Sequence, residues 1–84
     1  MATVKMTKEA AGQYAELTKT IRERVRKLVD RLEKWPEVSG AKALSGDLAG
    51  KFRLRTGDYR VRFYLEKDTV VIDKIGHRSD FYED

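Results

Sequence analysis

Four scarcities narrow this chain before any motif is sought. Cysteine is absent, which excludes a disulfide framework and any thiolate metal site. There is one histidine, His77, and a lone histidine does not hold zinc. No apolar run approaches the roughly 18 residues of a membrane span, in keeping with 38% charged residues. The start of the sequence also lacks the basic-then-apolar pattern of a secretory signal. The expectation is a cytoplasmic protein with no membrane contact, no metal and no cofactor, and 84 residues suffice for a single domain spanning 1–84.

What is present is positive charge, unevenly spread. The net charge is +4 with a pI near 9.5. Residues 51–64 hold five basic residues (Lys51, Arg53, Arg55, Arg60 and Arg62) against one acid, Asp58, while the rest of the chain balances at thirteen of each sign. This stretch alternates. Phe52, Leu54, Val61, Phe63 and Leu65 fall on one parity and the cations on the other, about a Thr56-Gly57-Asp58 turn. Strand side chains alternate faces with period two, so the stretch reads as a hairpin with one apolar and one cationic face. Like charges crowded on one face repel. Either Asp58, Glu66 or Asp73 offsets them, or the face binds an anion, and guanidinium forks and a lysine suit phosphate.

Around that hairpin the chain supplies a cover. Residues 2–6 suit an edge strand. Thr7 suits a helix N-cap, and Ala10, Tyr14, Leu17, Ile21, Val25, Leu28 and Leu32 recur at helical spacing. Thr18-Lys19-Thr20 is a weak helix segment, and Thr20 with Glu23 matches a capping box, so two helices are expected, about 8–17 and 20–34. Trp35-Pro36 ends the second. Residues 36–50 read as a loop pinned by Val38, Leu44 and Leu48. After the hairpin strands 51–56 and 59–66, the apolar run 69–75 reads as a central strand, and Gly76 begins a tail that leaves the sheet. The order β-α-α-β-β-β implies a two-layer α+β domain, with a helical hairpin packed on a small antiparallel sheet whose cationic face stays open.

The chemistry available to such a face is limited. The sequence offers no Ser/His/Asp triad, no carboxylate cluster and no glycine-rich phosphate loop before a helix. His77 is the one side chain of a type that exchanges protons near neutral pH, and a role hydrogen-bonded beside the last strand suits it as well as a catalytic one. Cations, a lysine and a tyrosine suit metal-free phosphoryl transfer on RNA. A 2′-OH attacks the adjacent phosphate while cations stabilise the charge that develops. Such a set requires its substrate to be held in place by something else.

The run Leu44-Ser-Gly-Asp-Leu-Ala-Gly-Lys-Phe-Arg-Leu-Arg-Thr-Gly-Asp-Tyr-Arg-Val-Arg-Phe-Tyr64, followed by Ile75-Gly-His-Arg-Ser-Asp-Phe-Tyr82, resembles the RelE/ParE superfamily of type II toxin–antitoxin toxins, RelE-like branch. The resemblance covers nearly the whole chain. It implies a ribosome-dependent endoribonuclease (an mRNA interferase) that cuts mRNA in the ribosomal A site and contacts ribosomal RNA. It also implies an acidic, RelB-like antitoxin that neutralises the toxin in a hetero-oligomer. By resemblance, Lys51, Arg53 and Arg60 clamp the phosphate, Tyr82 or Lys51 is the base, and Arg78 serves the leaving group. Arg55, Arg62 and His77 are expected to contact RNA or ribosome. The sequence ends two residues after Tyr82, so the C-terminal helix of some members is not expected. The alternative is the ParE-like branch, whose members bind and inhibit DNA gyrase and generally lack the full lysine, arginine and tyrosine set.

Overall fold

The computed structural model describes residues 2–81. Five strands and two helices follow in the order β1 (Thr3–Met6), α1 (Lys8–Ala15), α2 (Lys19–Leu32), β2 (Lys42–Ala43), β3 (Lys51–Thr56), β4 (Tyr59–Glu66) and β5 (Thr69–His77). Single 3₁₀ turns occupy Gly46–Leu48 and Arg78–Asp80. The strands form one sheet ordered β1-β5-β4-β3-β2. The expected two-layer α+β arrangement is what the chain adopts, with one amendment. The sheet is mixed rather than antiparallel, because β1 pairs parallel with β5. Two helices and the strands β2 to β4 separate β1 from β5 in sequence, long enough for the crossover that a parallel pairing needs.

Each helix begins at a threonine whose side chain satisfies an N–H that has no partner within the helix. Thr7 accepts from the Ala10 N–H at 3.2 Å and opens α1. At α2 the cap is Thr18, with extended backbone (φ −64°, ψ 159°) and its side chain accepting from the Ile21 N–H. Thr20, favoured by the capping-box pattern, lies inside the helix. Two threonines two residues apart are both competent caps, and the chain leaves the extended region at the first. The helix also stops at Leu32 rather than Lys34, and turns carry the chain on to the Trp35-Pro36 bond, which is cis.

Val25, Leu28 and Leu32 of α2 are buried against Leu54, Val61, Phe63, Val70, Ile72 and Ile75. Each such side chain contributes about 1.5–3 kcal/mol on removal from water. Trp35 closes one end, edge-on to Phe52 at 5.0 Å and to Phe63 at 5.3 Å between ring centroids. Leu65 is the exception to the apolar parity: it stands 40% exposed, because β4 outruns its cover there. The segment 36–50 is less loose than its composition suggests. It contributes β2, paired to β3 through Lys42 with Arg53 and Ala43 with Phe52, and Leu44 is buried. Val38 packs on the core, whereas Leu48 is only half-buried.

β5 is an inner strand, as its apolar run implies, but β1 flanks only its first half. Beyond that the Gln13 side chain of α1 takes the place of a neighbour, accepting from the Ile75 N–H at 2.8 Å. Nor does the chain leave the sheet at Gly76. Gly76 pairs with Arg60 inside β5, and the chain departs after His77. The tail folds back over this glycine: a Cβ at that point would come into van der Waals contact with Asp80 Oδ2 at 3.4 Å and Phe81 Cε1 at 3.6 Å. The sheet face away from the helices is therefore covered at one end by the returning Phe81, which is buried.

Candidate functional site

Directly paired residues of an antiparallel sheet point to the same side, so the register fixes what the open face carries. One row across the strands reads Lys42, Arg53, Arg62 and Lys74 on β2, β3, β4 and β5. On one side of it lies the row Lys51, Tyr64 and Val71, and on the other Arg55, Arg60 and Gly76. All five cations expected of the hairpin are thus on one face. The register adds Lys42 and Lys74, which the alternation of the hairpin alone could not reveal. Lys42 sits in a segment that reads as loop, and Lys74 reaches this face only because of a bulge in β5.

That bulge falls between Arg62 and Phe63 on β4, opposite Asp73. It lets two consecutive residues, Asp73 and Lys74, serve the open face while Ile72 and Ile75 both stay in the core. Asp73 Oδ2 accepts from Lys51 Nζ at 2.5 Å, and Asp73 Oδ1 accepts from Arg62 Nε at 2.8 Å. Its carboxylate is only 11% exposed. Lys51 also lies 5.6 Å from the Tyr64 ring centroid, a cation over an aromatic face. Of the three acids proposed to offset the cations, Asp73 meets Lys51 and Arg62, Asp58 meets Arg78, and Glu66 meets Lys5 instead.

Arg53 and Arg60 are 7% and 5% exposed although they belong to the open face. Arg60 donates through Nη1 to the Gly57 carbonyl at 2.8 Å and to that of Tyr59 at 3.3 Å, so its guanidinium is folded toward the hairpin turn. Arg55 stays exposed. Near the returning tail, Lys74 donates to the Asp80 carbonyl and stands 4.5 Å from the Phe81 ring centroid.

The remaining expected site residues lie elsewhere. Arg78 begins the turn after β5. Its backbone N–H donates to the Asp58 carbonyl at 2.7 Å, and its side chain, 62% exposed, lies 3.8 Å from the Asp58 carboxylate. This places it at the Arg55–Arg60 end of the face. Lys51 is four residues back along the hairpin from that end, roughly 14 Å at about 3.4 Å per residue. His77 pairs with Tyr59, on the parity of the core. The two rings meet edge-on at 5.5 Å, and His77 Nδ1 accepts from the Ser79 N–H at 3.1 Å. The parity of the pairing therefore puts His77 on the helix side of the sheet, although the cleft it lines with Gln13, Glu16, Leu17 and Tyr59 also reaches Lys74, Gly76 and Asp80 at the sheet end. Tyr82 lies outside the described residues. Among the described residues no group of three or more His, Asp or Glu side chains could hold a metal ion, and no helix is long and apolar enough to cross a membrane.

What this arrangement can do is hold a polyanion. Cations in register across four strands concentrate positive charge on this face. Comparison with known proteins gives the class. The model of the family described as ParE toxin of the type II toxin–antitoxin system, parDE, matches residues 4–82. Among solved structures, the chain is similar to one from the toxin–antitoxin complex RelBE2 of Mycobacterium tuberculosis, with 31% identity and a TM-score of 0.80 over 92% of this chain and 98% of that one. It is similar also to a chain of the archaeal RelE–RelB complex of Pyrococcus horikoshii, at 27% identity and a TM-score of 0.72 over 92% and 94%. The isolated RelE toxin of E. coli shares 16% identity at a TM-score of 0.77 over 92% and 84%, a likeness of fold. A search of curated protein sequences found no match. A family pattern running from β1 past the end of β5, on a fold that superposes over nearly the full length of such toxins, decides the class: this chain belongs to the ParE toxin family, within the RelE/ParE superfamily of type II toxin–antitoxin systems.

Proposed function

We propose that this toxin is a ribosome-dependent, metal-independent endoribonuclease that cuts mRNA, and that a cognate acidic antitoxin neutralises it. The observation that carries the reading is the row Lys42, Arg53, Arg62 and Lys74, flanked by Lys51, Arg55 and Arg60, on the one sheet face that no helix covers. The likeness at 31% identity to a chain of RelBE2 supports it. So does the pairing of RelE with RelB in the complexes of related toxins.

In the reaction, the 2′-oxygen forms a bond to the adjacent phosphorus and the bond to the 5′-oxygen breaks, leaving a 2′,3′-cyclic phosphate and a 5′-hydroxyl end. The proton of the 2′-OH passes to a base, and the leaving 5′-oxygen gains one. Fixed cations lower the barrier by stabilising charge that grows on the phosphate oxygens. In this reading the scissile phosphate lies at the Arg55–Arg60 end beside Arg78, with Arg60 as its clamp and Arg78 serving the leaving oxygen. Lys51 and Arg53 then hold the backbone further along the face. In this reading Tyr82 is the base, with Lys51 as the alternative. The site is shallow and open, so the geometry of attack depends on the ribosome presenting the RNA.

The test is direct. Purified protein added to programmed ribosomes cuts the mRNA, chelator present or absent, and leaves the same RNA intact when naked. Equal cleavage of naked RNA would remove the ribosome from the mechanism. The name of the matching family supports a second reading, in which the toxin binds and inhibits DNA gyrase. Loss of supercoiling activity together with intact mRNA would transfer the assignment to it.

A further inference from the structure

Among the described residues, one acid, Asp73, stands within the cationic rows of the open face, and a bulge puts it there. Asp73 is the extra residue of the β5 bulge, and bulges serve to re-aim a side chain without disturbing the flanking ladder. A regular strand with Asp73 at this point would turn Lys74 into the core. The bulge keeps both residues on the open face and returns Ile75 to the core, where it is buried.

The carboxylate divides its two oxygens between two cations from different strands. Lys51 on β3 donates to Oδ2 at 2.5 Å, and Arg62 on β4 donates to Oδ1 at 2.8 Å. Lys51 and Arg62 are not opposite each other in the ladder: Lys51 faces Tyr64, and Arg62 faces Arg53. These two long side chains occupy diagonal positions, and their like charges repel. Asp73 bridges them with one carboxylate oxygen each. It occupies one of the three donors of the ammonium and one of the five of the guanidinium.

We propose that Asp73 is a positioning residue of the RNA-binding face: it fixes the Lys51 ammonium and the Arg62 guanidinium as a two-point clamp on the RNA backbone. The proposal rests on the ribonuclease reading for its substrate. Within it, Lys51 works as a fixed positive charge that sets where the RNA lies, and Asp73 acts through it and Arg62 without touching the RNA.

Charge and positioning make opposite demands here, which gives the proposal its test. Removing a negative charge from a phosphate-binding face strengthens RNA binding and steepens its salt dependence. Removing the contact that aligns the clamp lowers the fraction of bound RNA held for attack, and misplacement by about 1 Å can cost about 10²-fold. Asp73→Asn keeps the size and shape of the side chain while deleting the charge. The full-length variant should bind a 2′-O-methylated single-stranded RNA, which cannot be cut, as tightly as the parent protein or up to about threefold more tightly. Its single-turnover cleavage on programmed ribosomes should fall at least about tenfold. Asp73→Glu, which restores the charge on a longer arm, should recover part of that loss. Cleavage by Asp73→Asn within twofold of the parent overturns the proposal. So does a loss of cleavage matched by loss of RNA binding and of folded protein in thermal melting, since that is what a structural role alone produces.

A readout independent of RNA separates this idea from the reading it rests on. The Arg62 Nε–H should exchange slowly with solvent, as observed by ¹⁵N-resolved NMR of the parent protein, and fast in Asp73→Asn. Equal exchange in both sinks the positioning role whatever the toxin attacks. Slow exchange in a parent protein that leaves mRNA intact would keep the clamp and refute the ribonuclease.

Discussion

The two faces of the sheet are made by the same strands and held by different physics. On the helix side, Leu54, Val61, Phe63, Val70, Ile72 and Ile75 meet the α2 stripe of Val25, Leu28 and Leu32. Nothing there depends on a particular partner atom, since apolar burial is non-directional and proportional to area. On the other side, seven cations share a surface with one internal carboxylate, the aromatic ring of Phe81 and the carbonyls of a hairpin turn. The contacts described there are ion pairs, hydrogen bonds and cation–ring contacts between particular groups. The first face answers to volume and the second to geometry and charge. Mutations should therefore separate stability from activity according to the parity of the residue they touch.

The largest expected effect breaks the helix-side face. Phe63 is fully buried and packs against both Trp35 and Phe52. Phe63→Ala should cost about 3–5 kcal/mol, a large part of the roughly 5–15 kcal/mol available to a domain. Urea denaturation reads this directly, and toxicity should vanish together with the folded protein. A shift under about 1 kcal/mol would mean that this face is not the core.

On the opposite parity the pattern should invert. Arg78→Ala removes an exposed side chain whose ion partner, Asp58, is itself exposed, and such pairs contribute about 0–1 kcal/mol. Stability should stay within about 0.5 kcal/mol, while growth arrest on expression is relieved and ribosome-dependent cleavage falls about 100-fold, or about 2.7 kcal/mol of activation free energy. Full toxicity in a folded Arg78→Ala protein would remove Arg78 from the site. A smaller effect should come from Lys42, at the margin of the cationic row. Lys42→Ala should lower ribosome affinity a few-fold and reduce the slope of log affinity against log salt by about 1. An unchanged slope would end the row at Arg53.

The comparison of faces also explains what could be read from the sequence. The hairpin was legible because strict alternation from Phe52 to Phe63 has one physical meaning, and the helices because their apolar steps of three and four have one too. The paired turn at Gly57-Asp58 followed from glycine, which takes the positive φ of 59° there. Legibility failed wherever a contact between distant residues decided the outcome. The parallel pairing of β1 with β5 is long-range, and β2, two residues long, is too short to show an alternation. The bulge at Asp73 is long-range as well; it shifts Lys74 by one face and cannot be inferred from a local pattern of period two. The same limit applies to the site. Five cations of the hairpin were visible, but Lys42 and Lys74 joined them only through register, and His77, adjacent to Arg78 in sequence, turned out to face the other way.

The smallest expected effect concerns the start of α2, where local signals conflicted. Thr18 and Thr20 both have the side chain of a cap, and Thr20 alone has a glutamate three residues on. The structure gives the role to Thr18. The helix it opens is the one whose Ile21, Val25, Leu28 and Leu32 cover the apolar face, so the identity of the cap is a statement about how that cover begins. Thr18→Ala should cost about 1 kcal/mol, read as a lowered urea midpoint with an unchanged slope. Thr20→Ala, at an exposed interior position of the helix, should stay within about 0.5 kcal/mol and lean towards stabilising, since alanine is the better helix former. Both variants should retain the activity of the parent protein per folded molecule, because neither lies on the cationic parity. A larger cost at Thr20 than at Thr18 would move the helix start by two residues and give the capping box back its role.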